Sequence, residues 1–228
     1  MSLDTHLPFR DRQQAGELLA AELTCLRDAP RLLVLALPRG GVPVGRAVAV
    51  ALHAPLDVFV VRKVALPHSP EYAVGAIASG GVQVMDPDAA RLMRPQELLA
   101  VVRQETGELE RRELAYRGGR PLPSLAGRSV VLVDDGVATG ATLDAAVQAV
   151  RKLGPLSLCV AAPVGSREAA RRLRPKVDQL IFGAMPEPFQ AVSLFYQRFP
   201  QCTDQEVQAI LEHSRQGQAV GSVDPPNA

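Results

Sequence analysis

The stretch Ser129–Leu143, SVVLVDDGVATGATL, constrains the fold of this chain more than any other. Val130, Val131, Leu132 and Val133 form an unbroken apolar run, the pattern of a parallel strand buried on both faces. Two adjacent carboxylates, Asp134 and Asp135, follow at once, and then a loop of small residues that opens a helix at about Ala141. Open parallel sheets bind ligands in the crevice beyond the carboxyl ends of their strands, and a helix N-terminus there favours anions. The chain is therefore expected to be an α/β protein with its site at this strand end.

Each residue type in the stretch suits that site. Gly136 and Gly140 let a bulky anion approach the main chain, and Thr139 and Thr142 add hydroxyl donors. The loop Ala138, Thr139, Gly140, Ala141, Thr142 reads as a cradle for one phosphate. Asp134 and Asp135 are acceptors when ionised and suit a vicinal diol, a metal, or both. Phosphate donors and diol acceptors a few residues apart describe a ribose 5-phosphate. The competing structural explanation is an acidic pair that only caps a turn and the helix.

The stretch resembles the phosphoribosyl-diphosphate (PRPP) signature of the type I phosphoribosyltransferases: four apolar residues, two acids, then a run ending Thr-Gly-x-Thr. The resemblance implies a mostly parallel sheet flanked by helices, with a small hood. It also implies that Asp134 and Asp135 bind the ribose hydroxyls and that residues 138–142 bind the 5′-phosphate. The implied activity is Mg2+-dependent transfer of the phosphoribosyl group to a nitrogen acceptor such as a nucleobase, as in cytoplasmic nucleotide salvage, with release of pyrophosphate. Many 6-oxopurine enzymes of the family carry Asp immediately before the Thr-Gly, and here that position is Ala138. This disfavours hypoxanthine and guanine. A PRPP-binding regulator that recognises RNA or protein is the alternative of a different class. A phosphate-accepting receiver domain fits less well, because its acidic pair belongs on the first strand.

Composition agrees with one α/β domain: 228 residues, 47% apolar and 21% charged. A formal charge of +1 gives no global pull toward nucleic acid. Cys25, Cys159 and Cys202 are widely spaced and show neither a disulfide framework nor zinc-site spacing, which fits a reducing cytosol. The N-terminal residues lack the apolar core of a signal peptide, and no apolar run is long enough to span a bilayer. No metal ligand is singled out. A homodimer is the expected assembly.

In chain order, residues 11–28 read as an amphipathic packing helix with Ala15, Leu19, Leu23 and Leu26 on one face. A buried strand over Leu32–Leu37 leads into Pro38, Arg39, Gly40 and Gly41 and a helix from Val42 to about Leu52. LPRGG stands where the family's pyrophosphate loop should be, so Arg39 would fork onto phosphate oxygens while Gly40 and Gly41 offer backbone donors. The next strand, Leu56–Val61, is expected to end in Arg62 and Lys63, two cations placed to meet the diphosphate and, with Arg39, to stabilise the departing charge. Residues 66–73, LPHSPEYA, correspond in order to the family's mobile closing loop, with His68, Glu71 and Tyr72 as candidates to reach substrate.

A hairpin is expected over residues 74–85 and a long helix over residues 95–117, whose alternating charges suggest a solvated face. After the signature come a helix over residues 141–153, strands over 157–164 and 177–182, and a short basic helix between those strands capped by Ser166. That basic helix offers the only hint of RNA contact. Residues 185–199 concentrate Phe189, Phe195, Tyr196 and Phe199, suited either to stacking on a base or to a small hydrophobic cluster. Thr203 and Glu206 form a capping box for a closing helix to about His213. The resulting organisation is one domain over residues 1–214, with a core over about 30–185 and hood segments over about 66–128 and 185–200; residues 215–228 are expected to form a disordered tail.

Overall fold

The computed structural model describes residues 3–220. At its centre is a five-stranded parallel sheet of order β2-β1-β6-β7-β8, formed by β1 (Leu33–Ala36), β2 (Leu56–Val58), β6 (Ser129–Val133), β7 (Ser157–Val164) and β8 (Gln179–Ala184). The expected parallel α/β architecture is present. Successive residues of each strand face opposite layers, so a continuous apolar run fills two cores. Val34, Ala36, Val131 and Val133 pack on one side with α1 (Arg12–Glu22), α2 (Gly41–Leu52) and α7 (Asp204–Val220). Leu33, Leu35, Val130 and Leu132 pack on the other with α5 (Ala141–Lys152) and α6 (Arg167–Leu173).

The segment after β2 departs from expectation. The parallel strand ends at Val58, and after the buried Phe59 and Val60 the chain enters a separate antiparallel sheet of β3 (Val61–Leu66), β4 (Ser69–Ala78) and β5 (Val82–Met85). Arg62 and Lys63 therefore lie within β3, opposite Ile77 and Ala76, and do not terminate a parallel strand. Residues 66–73 are not a long loop: β3 and β4 run almost to their tip and are joined by a turn at Pro67 and His68. The expected hairpin is present as β4 and β5, with Ser79, Gly80 and Gly81 at its turn.

A short helix α3 (Pro87–Ala90), capped by Asp86, leads to α4 (Pro95–Arg117), whose bounds agree with the sequence reading. Gly118 ends α4 in a left-handed conformation at φ 62°, where a side chain would be strained. Glu108 and Arg112, and Glu113 and Arg117, each four residues apart on α4, form ion pairs. Yet α4 is not wholly solvated. Arg117 is 1% exposed and donates to Asp57 Oδ1 at 3.0 Å and to the carbonyl of Val58. Its guanidinium also approaches Ser79 Oγ at 3.4 Å, so it joins β2, α4 and the turn of the antiparallel sheet.

Thr203 and Glu206 cap α7 reciprocally, with Thr203 N–H donating to Glu206 Oε2 at 2.7 Å and Glu206 N–H to Thr203 Oγ1 at 3.1 Å. The helix continues past His213 to Val220, so the first part of the expected tail is helical; residues 221–228 lie outside the described residues. Among the described residues no helix is long and apolar enough to cross a membrane.

Candidate active site

The carboxyl ends of β1 and β6 lie side by side, and their loops meet. Leu37 N–H donates to Val133 O at 2.9 Å, which draws the turn at residues 38–41 against the acid pair. A Cβ on Gly40 would stand 2.0 Å from Asp135 Oδ2, and one on Gly41 would stand 2.8 Å from Val133 O and 3.0 Å from Asp134 Cα. Both glycines are thus required by close approach. Gly41 N–H is not a free anion donor as expected, because it donates to Leu37 O at 3.1 Å. Arg39 is part-exposed, and its Nη1 lies 3.8 Å from Asp204 Oδ1, which also accepts the Tyr116 hydroxyl at 2.7 Å.

The two acids are held differently. Asp134 Oδ1 accepts the backbone N–H of Asp135 at 2.9 Å. Removal from water, and then the charge of Asp135, push the Asp134 carboxyl well above the usual carboxylate range. Asp135 Oδ2 accepts Arg12 Nε at 2.7 Å, and its main-chain oxygen accepts the Tyr196 hydroxyl at 2.5 Å. Burial, then the charge of Asp135, keep the Tyr196 hydroxyl protonated and able to donate.

The loop beyond the acids is fixed from its far side. Val137 N–H donates to Val164 O at 3.0 Å and Ser166 N–H to Val137 O at 2.9 Å. The Ser166 hydroxyl donates to Ala138 O and accepts Ala169 N–H at 2.9 Å, so one serine caps α6 and anchors the loop. Gly140 sits at φ 73° immediately before α5, with Thr139 and Thr142 exposed around it. The helix runs for 12 residues from Ala141, whose N–H donates to Thr139 Oγ1 at 3.4 Å, and the N-terminus of such a helix is a setting for an anion.

The structure therefore brings the turn of Arg39, Gly40 and Gly41 against Asp134 and Asp135 at the sheet's carboxyl edge, and residues 138–142 follow on the same loop as the acid pair. Arg62 is held elsewhere: its guanidinium is 2.7 Å from Glu105 Oε2 on α4, while Lys63 is exposed on β3. A groove of about 400 Å3 between α1, α2 and α7, lined by Gln13, Glu17, Arg46, Val50 and Ile210, lacks the acid pair and the 138–142 loop. The paired acids and helix amides that suit a charged sugar lie at the strand ends and not in that groove.

Residues 14–183 match the sequence profile of the phosphoribosyl transferase domain. The chain belongs to the phosphoribosyl transferase domain family. A curated Mycobacterium tuberculosis (strain H37Rv) protein with the provisional name phosphoribosyl transferase is 41% identical over 225 residues, covering 96% of this chain and 51% of the relative. The chain thus spans about half the length of this curated relative. A crystal structure from Thermus thermophilus superposes with a TM-score of 0.81 at 43% identity, over 90% of this chain and 98% of that one. A more distant relative, a ribose-phosphate pyrophosphokinase of Pyrococcus furiosus, is 28% identical over 117 residues, 49% of this chain and 42% of its own. Family membership accounts for the parallel sheet and the position of its signature.

Sequence reasoning missed the supports of this strand-end site. Arg12 was absorbed into a packing helix, although a cation in the first turn of a helix opposes the macrodipole and so asks for another reason to be there. Ser166 was read as a helix cap only. The aromatic segment proves to be mainly a cluster: the rings of Tyr196 and Phe199 lie 4.9 Å apart, those of Phe9 and Tyr196 5.6 Å, and those of Phe189 and Phe195 4.9 Å.

Proposed function

We propose that the domain binds PRPP and transfers its phosphoribosyl group to a nitrogen acceptor, releasing pyrophosphate. The observation that carries this reading is the acid pair flanked on one side by the Arg39–Gly41 turn and on the other by the 138–142 loop at the N-terminus of α5. A ribose with phosphate at one end and diphosphate at the other matches that order. The names of the two curated relatives, one a phosphoribosyl transferase and one a ribose-phosphate pyrophosphokinase, support the same ligand chemistry.

In this reading the acceptor nitrogen attacks the anomeric carbon as the bond to the diphosphate oxygen breaks. The electron pair leaves with pyrophosphate, and the acceptor's proton passes to solvent. Asp134 and Asp135 orient the ribose hydroxyls, the α5 amides with Thr139 and Thr142 hold the 5′-phosphate, and Arg39 stabilises the departing charge. Lys63 is exposed on β3, and Arg62 would first have to leave Glu105 to meet the diphosphate.

Mg2+ fits the donor set. Among the described residues no cluster of three His, Cys, Asp or Glu side chains could cage a cation, and Mg2+ characteristically takes one or two carboxylates with substrate oxygens and water. Asp134 and Asp135 would hold it, and it would supply charge neutralisation at the diphosphate.

The acceptor proposed is adenine or a non-purine, because Ala138 offers no carboxylate to a 6-oxopurine N7. A cytoplasmic role in nucleotide salvage and a homodimeric state belong to the same proposal. The decisive test is a screen of free bases with PRPP and Mg2+ in which pyrophosphate release is followed. Turnover with adenine or a non-purine is expected. Efficient guanine turnover would overturn the acceptor assignment, and PRPP binding without turnover on any base would favour a sensor.

A further inference from the structure

Arg12 lies 123 residues before Asp135 in the chain and just outside the span that matches the family. Its guanidinium is held in three ways at once. Nε donates to Asp135 Oδ2 at 2.7 Å, Nη1 donates to the carbonyl of Pro200 at 2.7 Å, and the guanidinium carbon lies 3.7 Å from the centroid of the Phe199 ring. The two charged side chains are only 11% and 14% exposed. A planar guanidinium fixed by a carboxylate, a carbonyl and an aromatic face cannot swing freely, and screening by solvent is weak at such a site.

Asp135 is correspondingly held on several sides. Tyr196 holds its main-chain oxygen, and Gly40 leaves no room beside Oδ2 for even one added carbon. The Tyr196 ring also packs at a tilt against Phe199, which carries Arg12. The chain after β8 therefore forms a strap that grips the acid pair through Arg12. With Oδ2 engaged by the guanidinium, Oδ1 is the oxygen of Asp135 left to meet a ligand. Arg12 also supplies the positive charge that lets two carboxylates stand side by side, and its field reaches Asp134 as well.

We infer that Arg12 is a positioning residue for ribose recognition: it fixes the Asp135 carboxylate in the orientation that accepts the diol, without itself touching the ligand. The inference rests on the PRPP reading and assigns a new residue within that site. It is specific about which half of the ligand should feel the loss, because Arg12 meets Asp135 and, among the described residues, has neither a hydrogen bond nor an ion pair with Arg39 or the 138–142 loop.

The test is calorimetric titration of ribose 5-phosphate and of inorganic pyrophosphate, each with Mg2+, into the full chain and its variants. Arg12→Met is expected to weaken ribose 5-phosphate roughly ten- to a hundredfold, the range for losing a hydrogen bond to a charged group, and to change pyrophosphate by no more than about twofold. Arg12→Lys, which keeps the charge but not the planar fork, should recover part of the loss. Adding Arg12→Met to Asp135→Asn should cost ribose 5-phosphate nothing further, since Arg12 acts through that carboxylate. Unchanged ribose 5-phosphate affinity, equal weakening of both ligands, or additive losses in the double variant would each overturn the role. If Arg12→Met fails to fold, Arg12→Lys must show the same bias toward ribose 5-phosphate, and an equal loss for both ligands sinks the idea. A parent protein that binds neither ligand would instead refute the underlying PRPP reading, and the role of Arg12 with it.

Discussion

Gly40 and Asp135 share a space that admits no Cβ, and at the scale of single residues this packing defines the site. Gly40 has φ −62° and ψ −34°, values open to any residue, so room and not backbone conformation excludes a side chain. Gly40→Ala is therefore expected to drive Asp135 or the turn aside at a cost of about 1–3 kcal/mol and to abolish measurable PRPP binding. Gly107→Ala is the matched control, since nothing lies within 4 Å of its added Cβ and alanine favours a helix by up to about 1 kcal/mol. Denaturant unfolding together with PRPP titration checks the pair; normal binding by Gly40→Ala would show that the contact is not part of the site. Arg39→Ala is expected to weaken PRPP roughly ten- to a hundredfold and to leave ribose 5-phosphate almost unchanged, because only PRPP carries the group Arg39 is proposed to meet. Equal weakening of both ligands would reduce LPRGG to a structural turn. Residue types and order made the strand end at Asp134 and Asp135 and the small-residue loop that opens α5 legible in the sequence. Arg12 was not, because its reason for being there lies across the fold, with Asp135 and Phe199.

At the scale of elements, Arg117 shows why a charge pattern along a helix does not by itself identify a solvated face. Its spacing from Glu113 is that of an exposed ion pair, yet the guanidinium is buried where β2, α4 and the antiparallel sheet converge. Burial raises the Asp57 carboxyl above its ordinary 3.8, even though Arg117 acts in the opposite direction. Arg117→Met should cost about 3–5 kcal/mol at neutral pH, because it leaves Asp57 charged and unpaired, and Asp57→Asn added to it should recover part of that loss. The sign with pH follows. With the folded pKa of Asp57 raised further, protonation relieves the variant below the unfolded value, and the penalty grows as pH rises through the folded one. Urea unfolding at several pH values is the check, and a pH-independent loss would rule out Asp57 as its source.

The elements that could be read correctly carried their signals locally. Continuous apolar runs marked the parallel strands, and Pro95 with Gly118 bracketed α4. The segment after β2 misled because Val58, Phe59, Val60 and Val61 form one apolar run across two strands of different sheets. Residues 66–73 misled because two prolines masked a β-ribbon whose pairing shifts register at Ala65 and Leu66.

At the scale of the whole molecule, the groups that build and support the proposed site come from distant parts of the chain. Arg12 lies on the first helix and Asp204 on the last, and between them stand the ends of β1 and β6 and the aromatic strap. A ligand that bridges these pieces binds only the assembled fold, so its binding free energy should appear as global stability. PRPP with Mg2+ at a hundredfold excess over its dissociation constant should add about 2.7 kcal/mol. For a domain of this size that corresponds to a rise in melting temperature of roughly 5–10 °C. Removing the metal with a chelator should reduce the shift, because Asp134, Asp135 and the diphosphate would then face one another without the cation that offsets their charge. Ribose 5-phosphate and pyrophosphate added separately should each give a smaller shift than PRPP, since neither spans the acid pair, the α5 amides and Arg39 together. A thermal scan with millimolar ligand measures all four conditions on the unmodified chain. No shift with PRPP and Mg2+ would contradict the assignment of this crevice. A shift as large with pyrophosphate alone would place recognition at the Arg39 turn and leave Asp134 and Asp135 without a ribose to hold.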